Sequence, residues 1–184
     1  KVASNLNLPH LWDIYAAFAE PARRNGQPLY LLLLSASYYT FTESVVGFTI
    51  GTLLGLFLGT VFVHYTIFER GCMPYVIASQ TVPIIAIAPM VVIWLRAGWF
   101  SVALISAYLT FFPVTINTLR GLKSPDPRAL ELMHSYAASK WQILWKLRFP
   151  AALPYIFTAL KVSATASVVG AIIGELPSGI RDGL

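Results

Sequence analysis

The stretch SVVGFTIGTLLGLFLGTVFVHYTIF, residues 44–68, contains no Asp, Glu, Lys or Arg. At about 1.5 Å of rise per residue, a helix of this length crosses the ~30 Å hydrocarbon core of a bilayer. Glycine recurs at every fourth position, so one face of the helix carries no side chains, and a neighbouring backbone can approach it closely. The pattern predicts a membrane-spanning helix packed tightly on that face. The glycines concerned are Gly47, Gly51, Gly55 and Gly59.

Three further stretches of similar length, 71–95, 97–119 and 152–174, lack Asp, Glu and Arg, and only the last contains a lysine, Lys161. The chain is 57% hydrophobic and 11% charged, whereas a soluble domain has roughly 25% charged residues. Its 13 basic and 8 acidic side chains are too few to cover a soluble surface. We therefore predict an all-α, polytopic transmembrane helical bundle with about four to five membrane helices, in a chain that is a fragment of a longer protein.

The sequence offers little for catalysis or metal binding. One cysteine and three widely separated histidines exclude a disulfide framework and show no ligand spacing. The nucleotide-binding pattern G-x-x-x-x-G-K-[ST] and the hydrolase patterns H-E-x-x-H and G-x-S-x-G are not found. The basic residues lie at the ends of apolar stretches rather than beside exposed aromatics, which excludes a nucleic-acid partner. We expect no catalytic residue, no metal and no cofactor in this chain.

The distribution of basic residues predicts how the chain is oriented across the membrane. Residues 120–148 hold six basic and two acidic side chains, and short basic loops stay in the cytoplasm. The 69–73 turn is then cytoplasmic, and residues 1–28, the 95–100 connection and the 175–184 tail lie outside, although Arg23 and Arg24 fit this scheme poorly. We expect residues 1–28 to be an extracytoplasmic connector and 29–184 to be the transmembrane domain. Apolar residues at helical spacing indicate a short helix in the connector that lies on the membrane surface or packs as part of the connector (Leu11, Ile14, Tyr15, Phe18).

Two prolines six residues apart, Pro83 and Pro89, interrupt the second stretch. Proline removes a backbone hydrogen bond and bends a helix, so this span is either broken or merely kinked. A broken span exposes backbone groups that a water-filled cavity satisfies. The polar residues beside the first proline are candidate translocation-pathway residues: Ser79, Gln80 and Thr81.

Two charged residues in or at the last span are further pathway candidates. Lys161 lies roughly 14 Å along the helix from Ala152, where a charge is costly unless it faces a cavity or a partner, or extends to the interface. Glu175 either faces the extracytoplasmic mouth of a pathway or marks the membrane boundary. Both alternatives stay open for each residue.

The basic loop predicts two short helices joined by a turn. Proline at 125 and 127 ends the preceding segment, residues 128–136 and 140–148 can form helices, and Ala137-Ala138-Ser139 supplies small residues between them. Alanine suits a gentler bend than glycine would allow. A compact knob on the cytoplasmic face follows from this arrangement.

The loop resembles the EAA loop of binding-protein-dependent ABC importer permeases, whose pattern is E-A-A, three residues, G, nine residues, I-x-L-P. Glu131 takes the place of Glu and Ala137 that of Gly, and Leu147-x-Phe149-Pro150 takes that of I-x-L-P. Leu132-Met133 replaces Ala-Ala, while the spacing is complete. Three segments are similar to the nitrate, sulfonate and taurine subgroup: Pro83-x-x-Ala86-x-Ala88-Pro89, Phe112-Pro113 followed by Asn117-Thr118, and Pro150-Ala-Ala-Leu-Pro154.

The resemblance implies a permease of the MetI-like importer type with a cytoplasmic coupling loop at 120–150. It implies ATPase subunits that bind the loop, with ATP on those subunits, a second permease subunit in a homodimer, an extracytoplasmic binding protein, and location in a bacterial or archaeal plasma membrane. Such permeases usually have six spans, so one upstream and one downstream would lie outside this chain. The implied coupling residues are Glu131, Ala137, Ala138, Ser139, Leu147 and Pro150.

Two other classes stay open. An ion-coupled secondary transporter would use Lys161 and Glu175, but the knob and the lack of a visible inverted repeat disfavour it. A membrane-embedded enzyme or scaffold would need a reactive cluster that the sequence does not show. The substrate is open among nitrate, an alkylsulfonate and a vitamin precursor.

Overall fold

The structure is a computed structural model that describes residues 11–19, 26, 28–96 and 98–178. The elements of this part of the chain are helices, which confirms the all-α prediction. In chain order they are α1 (Leu11–Ala19), α2 (Leu29–His64), α3 (Thr66–Ser79), α4 (Ile84–Trp94), α5 (Trp99–Leu122), α6 (Pro127–Ser135), α7 (Lys140–Ile143), a π-helical turn (Leu144–Arg148) and α8 (Phe149–Ser178).

The first span is longer than its uncharged core. Helix α2 begins at Leu29, so residues 29–43, which the sequence indicates as a helix leading into the first span, are continuous with that span. Polar side chains in this part bond to carbonyls of their own helix: Ser35 Oγ donates to Leu32 O at 2.9 Å and Thr42 Oγ1 to Tyr39 O at 2.7 Å. The helix ends at His64 rather than Phe68, since Tyr65 leaves the helical conformation with φ −125° and ψ 88°. Helix α2 alone is therefore 36 residues long.

The glycine face of α2 packs on α5, as predicted. A Cβ built at Gly47 would lie 2.5 Å from Ser106 Cβ, and one at Gly59 would lie 2.8 Å from Thr118 Cβ. Because later positions of α2 meet later positions of α5, the two helices run parallel. Close backbone contact of this kind needs residues without side chains.

Helix α8 runs antiparallel on another side of α5. A Cβ at Gly121 would lie 2.9 Å from Ala152 Cα, and one at Gly174 would lie 3.2 Å from Val102 Cα. Ser106 Oγ donates across this interface to Ser167 O at 2.8 Å. Helix α5 is thus the centre of the bundle. We call the end where α5 finishes the loop end, and the opposite end the far end.

The second stretch is a broken span. Helices α3 and α4 are bent by 98° at the break between Ser79 and Ile84. Helix α3 starts at the loop end, where its Glu69 pairs with Lys123 at 2.6 Å, whereas Ala88 and Val92 of α4 pack beside Ile105, nearer the far end. The pair therefore passes from one end of the bundle to the other. With α2, α5 and the helix through 140–177, the described residues contain three helices long and apolar enough to cross a membrane, and four such spans if α3 and α4 together count as one. The upper number meets the lower end of the expected four to five.

The predicted helix of the connector is present as α1. The side chains of Trp12, Tyr15 and Phe18 are exposed on it, while those of Leu11 and Ile14, and the structure of most of 1–28, lie outside the described residues. Placement of α1 on a membrane surface stays a prediction.

Candidate functional site

The loop end carries a knob, which we define as α6, the turn 136–139 and α7. Helix α6 begins where the sequence indicates, because Asp126 caps it: the Asp126 Oδ1 atom accepts a hydrogen bond from the backbone N–H of Arg128 at 2.8 Å. Pro127 occupies the first helical position, where its missing N–H costs nothing. No side chain of α6 is buried, so the helix stands off the bundle.

The turn of the knob is sharper than expected. Ala137 has φ +51°, in the left-handed region, and the N–H groups of Ala137 and Ala138 donate to His134 O at 2.9 Å and Met133 O at 3.0 Å. These two bonds form a Schellman motif, whose left-handed residue is usually glycine. The expectation that alanine gives a gentler bend is therefore wrong: the helix-ending hydrogen bonds impose the glycine conformation on Ala137.

The second helix of the knob is not separate from the last span. Ser139 caps α7 in a capping box with Gln142, and the helix then passes through the π turn directly into α8. The N–H of Phe149 donates to Leu144 O, five residues back. Pro150, the next residue, has no N–H and crowds the carbonyl four residues earlier, which a wider turn accommodates. The expectation of a distinct helix over 140–148 is corrected in this respect.

Buried contacts tie the knob to the bundle through α7 and the π turn. Ile143 and Leu144 are buried, and Leu144 packs with Leu122 of α5 and Ala152 of α8. Arg148 Nη1 also donates to Leu122 O at 3.5 Å. The knob therefore cannot shift without moving the start of α8.

Large apolar side chains face outward from the knob and the π turn beside it. Tyr136 is 78% exposed and Trp141 is 67% exposed, and Leu132 and Trp145 are also exposed. A cavity of about 280 Å³ lies among Met133, Tyr136, Ala138, Gln142 and Lys146. Among the predicted coupling residues, two are half-buried, namely Ala138 and Leu147, and four are exposed: Glu131, Ala137, Ser139 and Pro150.

The break in the second span forms a separate candidate site. Ser79 and Gln80 line a cavity of about 390 Å³ together with Pro83, Tyr108 and Phe112. Tyr108 Oη donates to Ser79 O at 2.6 Å, so a side chain of α5 satisfies a carbonyl that the break sets free. Thr81 is exposed and its hydroxyl donates to Ala78 O at 2.6 Å. Their role as pathway residues stays a prediction.

The structure does not bring Lys161 and Glu175 together. Both lie on α8, where 14 residues at about 1.5 Å each separate them by about 21 Å. Lys161 is exposed. Glu175 is 5% exposed at the far end, where Thr40 Oγ1 of α2 donates to its Oε1 at 2.7 Å.

Sequence reasoning missed Glu43, which is 0% exposed on α2 and adjoins Glu175. Counting the first span from Ser44 placed this residue just outside the membrane helix. The signal that could have found it is the length of α2: once residues 29–43 are read as part of the span, Glu43 becomes a carboxyl within an apolar helix.

The sequence of this chain matches a known family and several known proteins. Residues 51–181 match the family described as binding-protein-dependent transport system inner membrane component. The chain is 36% identical over 196 residues to the formylaminopyrimidine transport permease protein of Halalkalibacterium halodurans, covering 97% of this chain and 75% of that protein. It is 32% identical to the riboflavin transport system permease protein of Chloroflexus aurantiacus, covering 80% of this chain and 55% of that protein.

A third relative is the putative aliphatic sulfonates transport permease protein of Bacillus subtilis, which is 30% identical over 73% of this chain and 49% of that protein. The chain thus spans between about half and three-quarters of the length of these relatives.

Proposed function

Because this chain belongs to the family of binding-protein-dependent transport system inner membrane components, we propose that it is the permease subunit of an ATP-driven ABC importer. The resemblance found in the loop and in the surrounding segments is confirmed by this membership, and relatives named for sulfonate, taurine and nitrate transport are similar to the chain. The chain is a multi-pass membrane protein of a transport family, and the proposal assigns ATP hydrolysis to a separate subunit.

The observation that carries the proposal is the exposed knob. Helix α6 buries no side chain, yet aromatic and aliphatic groups cover the outer surface of the knob. Exposed apolar groups clustered in this way indicate a protein contact, and the surrounding basic residues favour a cytoplasmic position for the knob. An ATPase subunit there would bind the apolar surface of the knob, and Glu131 could accept charge-assisted hydrogen bonds from it.

Movement of such an ATPase would reach the spans through α8. Leu144 lies in the buried cluster with Leu122 and Ala152, so displacement of the knob acts on α5 and α8 together. A second permease subunit, in a homodimer, would complete a pathway between the two chains, and an extracytoplasmic binding protein would deliver the solute. In this scheme the chain binds no nucleotide.

The cavity at the break in the second span favours a small, uncharged, ring-containing molecule as the transported solute. Its cavity is lined by an amide, a tyrosine and prolines, and none of the lining residues is charged. Nitrate or a sulfonate would leave its charge without a cationic partner there. The formylaminopyrimidine and riboflavin relatives carry the names of ring-containing solutes, which favours a vitamin precursor among the three classes left open by the sequence.

A secondary transporter is supported less well. It would couple an ion through Lys161 and Glu175, which lie about 21 Å apart along α8, and it would leave the apolar surface of the knob without a partner.

Site-directed cross-linking tests the proposal. Cys72 is the chain's single cysteine, so Cys72→Ser leaves a background for single-cysteine variants. A photoreactive group on Tyr136→Cys should cross-link to the ATPase subunit of the reconstituted complex, whereas the same group on Tyr75→Cys should not. Tyr75 is a matched control because it is equally exposed, at 77%, but lies in α3. An unlabelled ATPase with Tyr136→Cys, or equal labelling from both positions, would contradict knob docking.

A further inference from the structure

A pair of carboxyl groups lies buried at the far end, away from the knob and from the break. Glu43 of α2 is 0% exposed and Glu175 of α8 is 5% exposed. Thr40, one turn before Glu43, is also buried, and its hydroxyl donates to Glu175 Oε1 at 2.7 Å. This hydrogen bond joins two helices through residues that are 135 positions apart in the sequence.

Glu43 lacks a hydrogen-bond donor. Neither of its carboxyl oxygens accepts a hydrogen bond from any group in the described part of the chain. Among the described residues, the carboxyl of Glu175 lies within hydrogen-bonding reach of Glu43. An ionised carboxylate only accepts hydrogen bonds, so two ionised groups here would repel each other and leave Glu43 unsatisfied. A buried charge in that condition is highly unfavourable.

One proton shared by the two carboxyl groups removes both the repulsion between like charges and the lack of a hydrogen bond to Glu43. A proton on Glu43 turns its carboxyl into a donor to Glu175, which already accepts from Thr40, and the like charges are lost. We propose that Glu43 and Glu175 form a proton-binding site that holds α2 against α8 at the far end.

A proton suits the site better than a metal ion. Magnesium and calcium take six or more oxygen ligands, and no cluster of three or more His, Cys, Asp or Glu side chains occurs among the described residues. In the described part of the chain the site offers two carboxyl groups and the Thr40 hydroxyl, which supply fewer than the six oxygen ligands that such an ion takes.

Infrared spectroscopy of the full-length protein in lipid nanodiscs tests the site, with Glu43→Gln as the variant. Glutamine has the shape of a protonated glutamate and donates the same hydrogen bond, so the variant should fold and assemble. The spectrum of the parent minus that of the variant should show loss of one acid carbonyl band and no loss of a carboxylate band. Loss of a carboxylate band instead would overturn the proposal, as would failure of Glu43→Gln to fold.

The parent protein gives a second measurement that needs no variant. With ¹³C at the side-chain carboxyl carbon of glutamate, its spectrum should contain a band shifted from the unlabelled acid carbonyl position. If every glutamate is ionised, no such band appears and the site does not hold a proton.

The melting temperatures of two variants at Glu43 distinguish a bound proton from a bound metal cation. Glu43→Gln should keep the parent's melting temperature, whereas Glu43→Ala, which removes the donor and leaves a cavity, should lower it. Sodium, magnesium and calcium salts at constant ionic strength should stabilise the parent and Glu43→Gln equally. If one of these ions stabilises only the parent, the pair is a cation site and the proton assignment is wrong.

Discussion

The interface between α2 and α5 and the knob at the loop end contrast in what they contact. At the interface, glycines let two backbones meet, and a Cβ at Gly51 would lie 2.5 Å from Ala107 O. On the knob, α6 buries no side chain and Tyr136 is 78% exposed. The interface residues have their role within this chain, whereas Leu132 and Tyr136 of the knob face outward and are available to a partner outside it. The ring of Trp141, also exposed, lies beside His64 of α2, with ring centroids 6.1 Å apart. Substitutions should therefore damage folding at the interface and transport at the knob.

The largest effect is expected for Gly55→Leu. A Cβ there would already lie 2.8 Å from Val114 Cβ and 3.0 Å from Phe111 O, and overpacking costs ~1–3 kcal/mol or more. Folded protein should be lost from detergent extracts, measured by fluorescence-detected size-exclusion chromatography. Gly71→Leu is the control, since a Cβ at Gly71 meets nothing within 4 Å. Equal yields from both variants would remove the packing role of the glycine face.

The knob should show the reverse pattern. Glu131→Ala combined with Ala137→Ile removes the exposed carboxylate and puts a β-branched residue at φ +51°, which that residue type strongly disfavours. We expect loss of substrate-stimulated ATP hydrolysis in the reconstituted complex, with membrane insertion near the parent level. Arg70→Ala, an exposed change outside the knob, should leave hydrolysis intact. Parent-level stimulation in the double variant would show that this loop does not couple the two subunits.

A smaller effect, of opposite sign, is expected for Ala137→Gly. Left-handed backbone costs an ordinary residue about 1–2 kcal/mol, and glycine avoids this cost. Glycine also makes the unfolded chain more flexible, which offsets roughly 0.5–1 kcal/mol of the stabilisation. Hydrogen exchange across 127–139 should therefore slow slightly. Ala138→Gly is the matched control, because Ala138 is not among the residues with positive φ, and it should exchange faster. Slower exchange in both variants would contradict a strained Ala137.

The smallest perturbation is a label on Cys72, which should not change stability because the residue is exposed. It lies three residues after Glu69, which pairs with Lys123 at the loop end. An impermeant maleimide should therefore modify it in inside-out vesicles and not in intact cells. Labelling from outside would invert the topology and place the knob on the wrong side for an ATPase.

The sequence predicts local features of this fold well. The glycine face depends only on spacing along one helix, and the start of α6 depends on the neighbours Asp126 and Pro127, so both could be found without a structure. The alternative between a kink and a break at Pro83 could not be decided, because the 98° bend depends on what α5 offers to the freed backbone, such as the Tyr108 hydroxyl.

Features that join distant segments were beyond sequence reasoning. Glu43 and Glu175 meet only because α2 and α8 both pack on α5, and no local pattern reports that contact. The conformation of Ala137 was hidden for a related reason. Alanine itself disfavours positive φ, and the hydrogen bonds that end α6 override that preference. The partner of the knob is a different molecule, so its binding surface is encoded in another sequence.

The continuity of α7, the π turn and α8 has a mechanical consequence. Residues 140–177 form one helical segment of 38 residues, or about 57 Å at 1.5 Å per residue. No loop interrupts this segment between Trp141 and Glu175. If a partner displaces the Trp141 end, we expect the displacement to reach the Glu175 end directly. The π turn, Leu144–Arg148, lies near the Trp141 end of the segment.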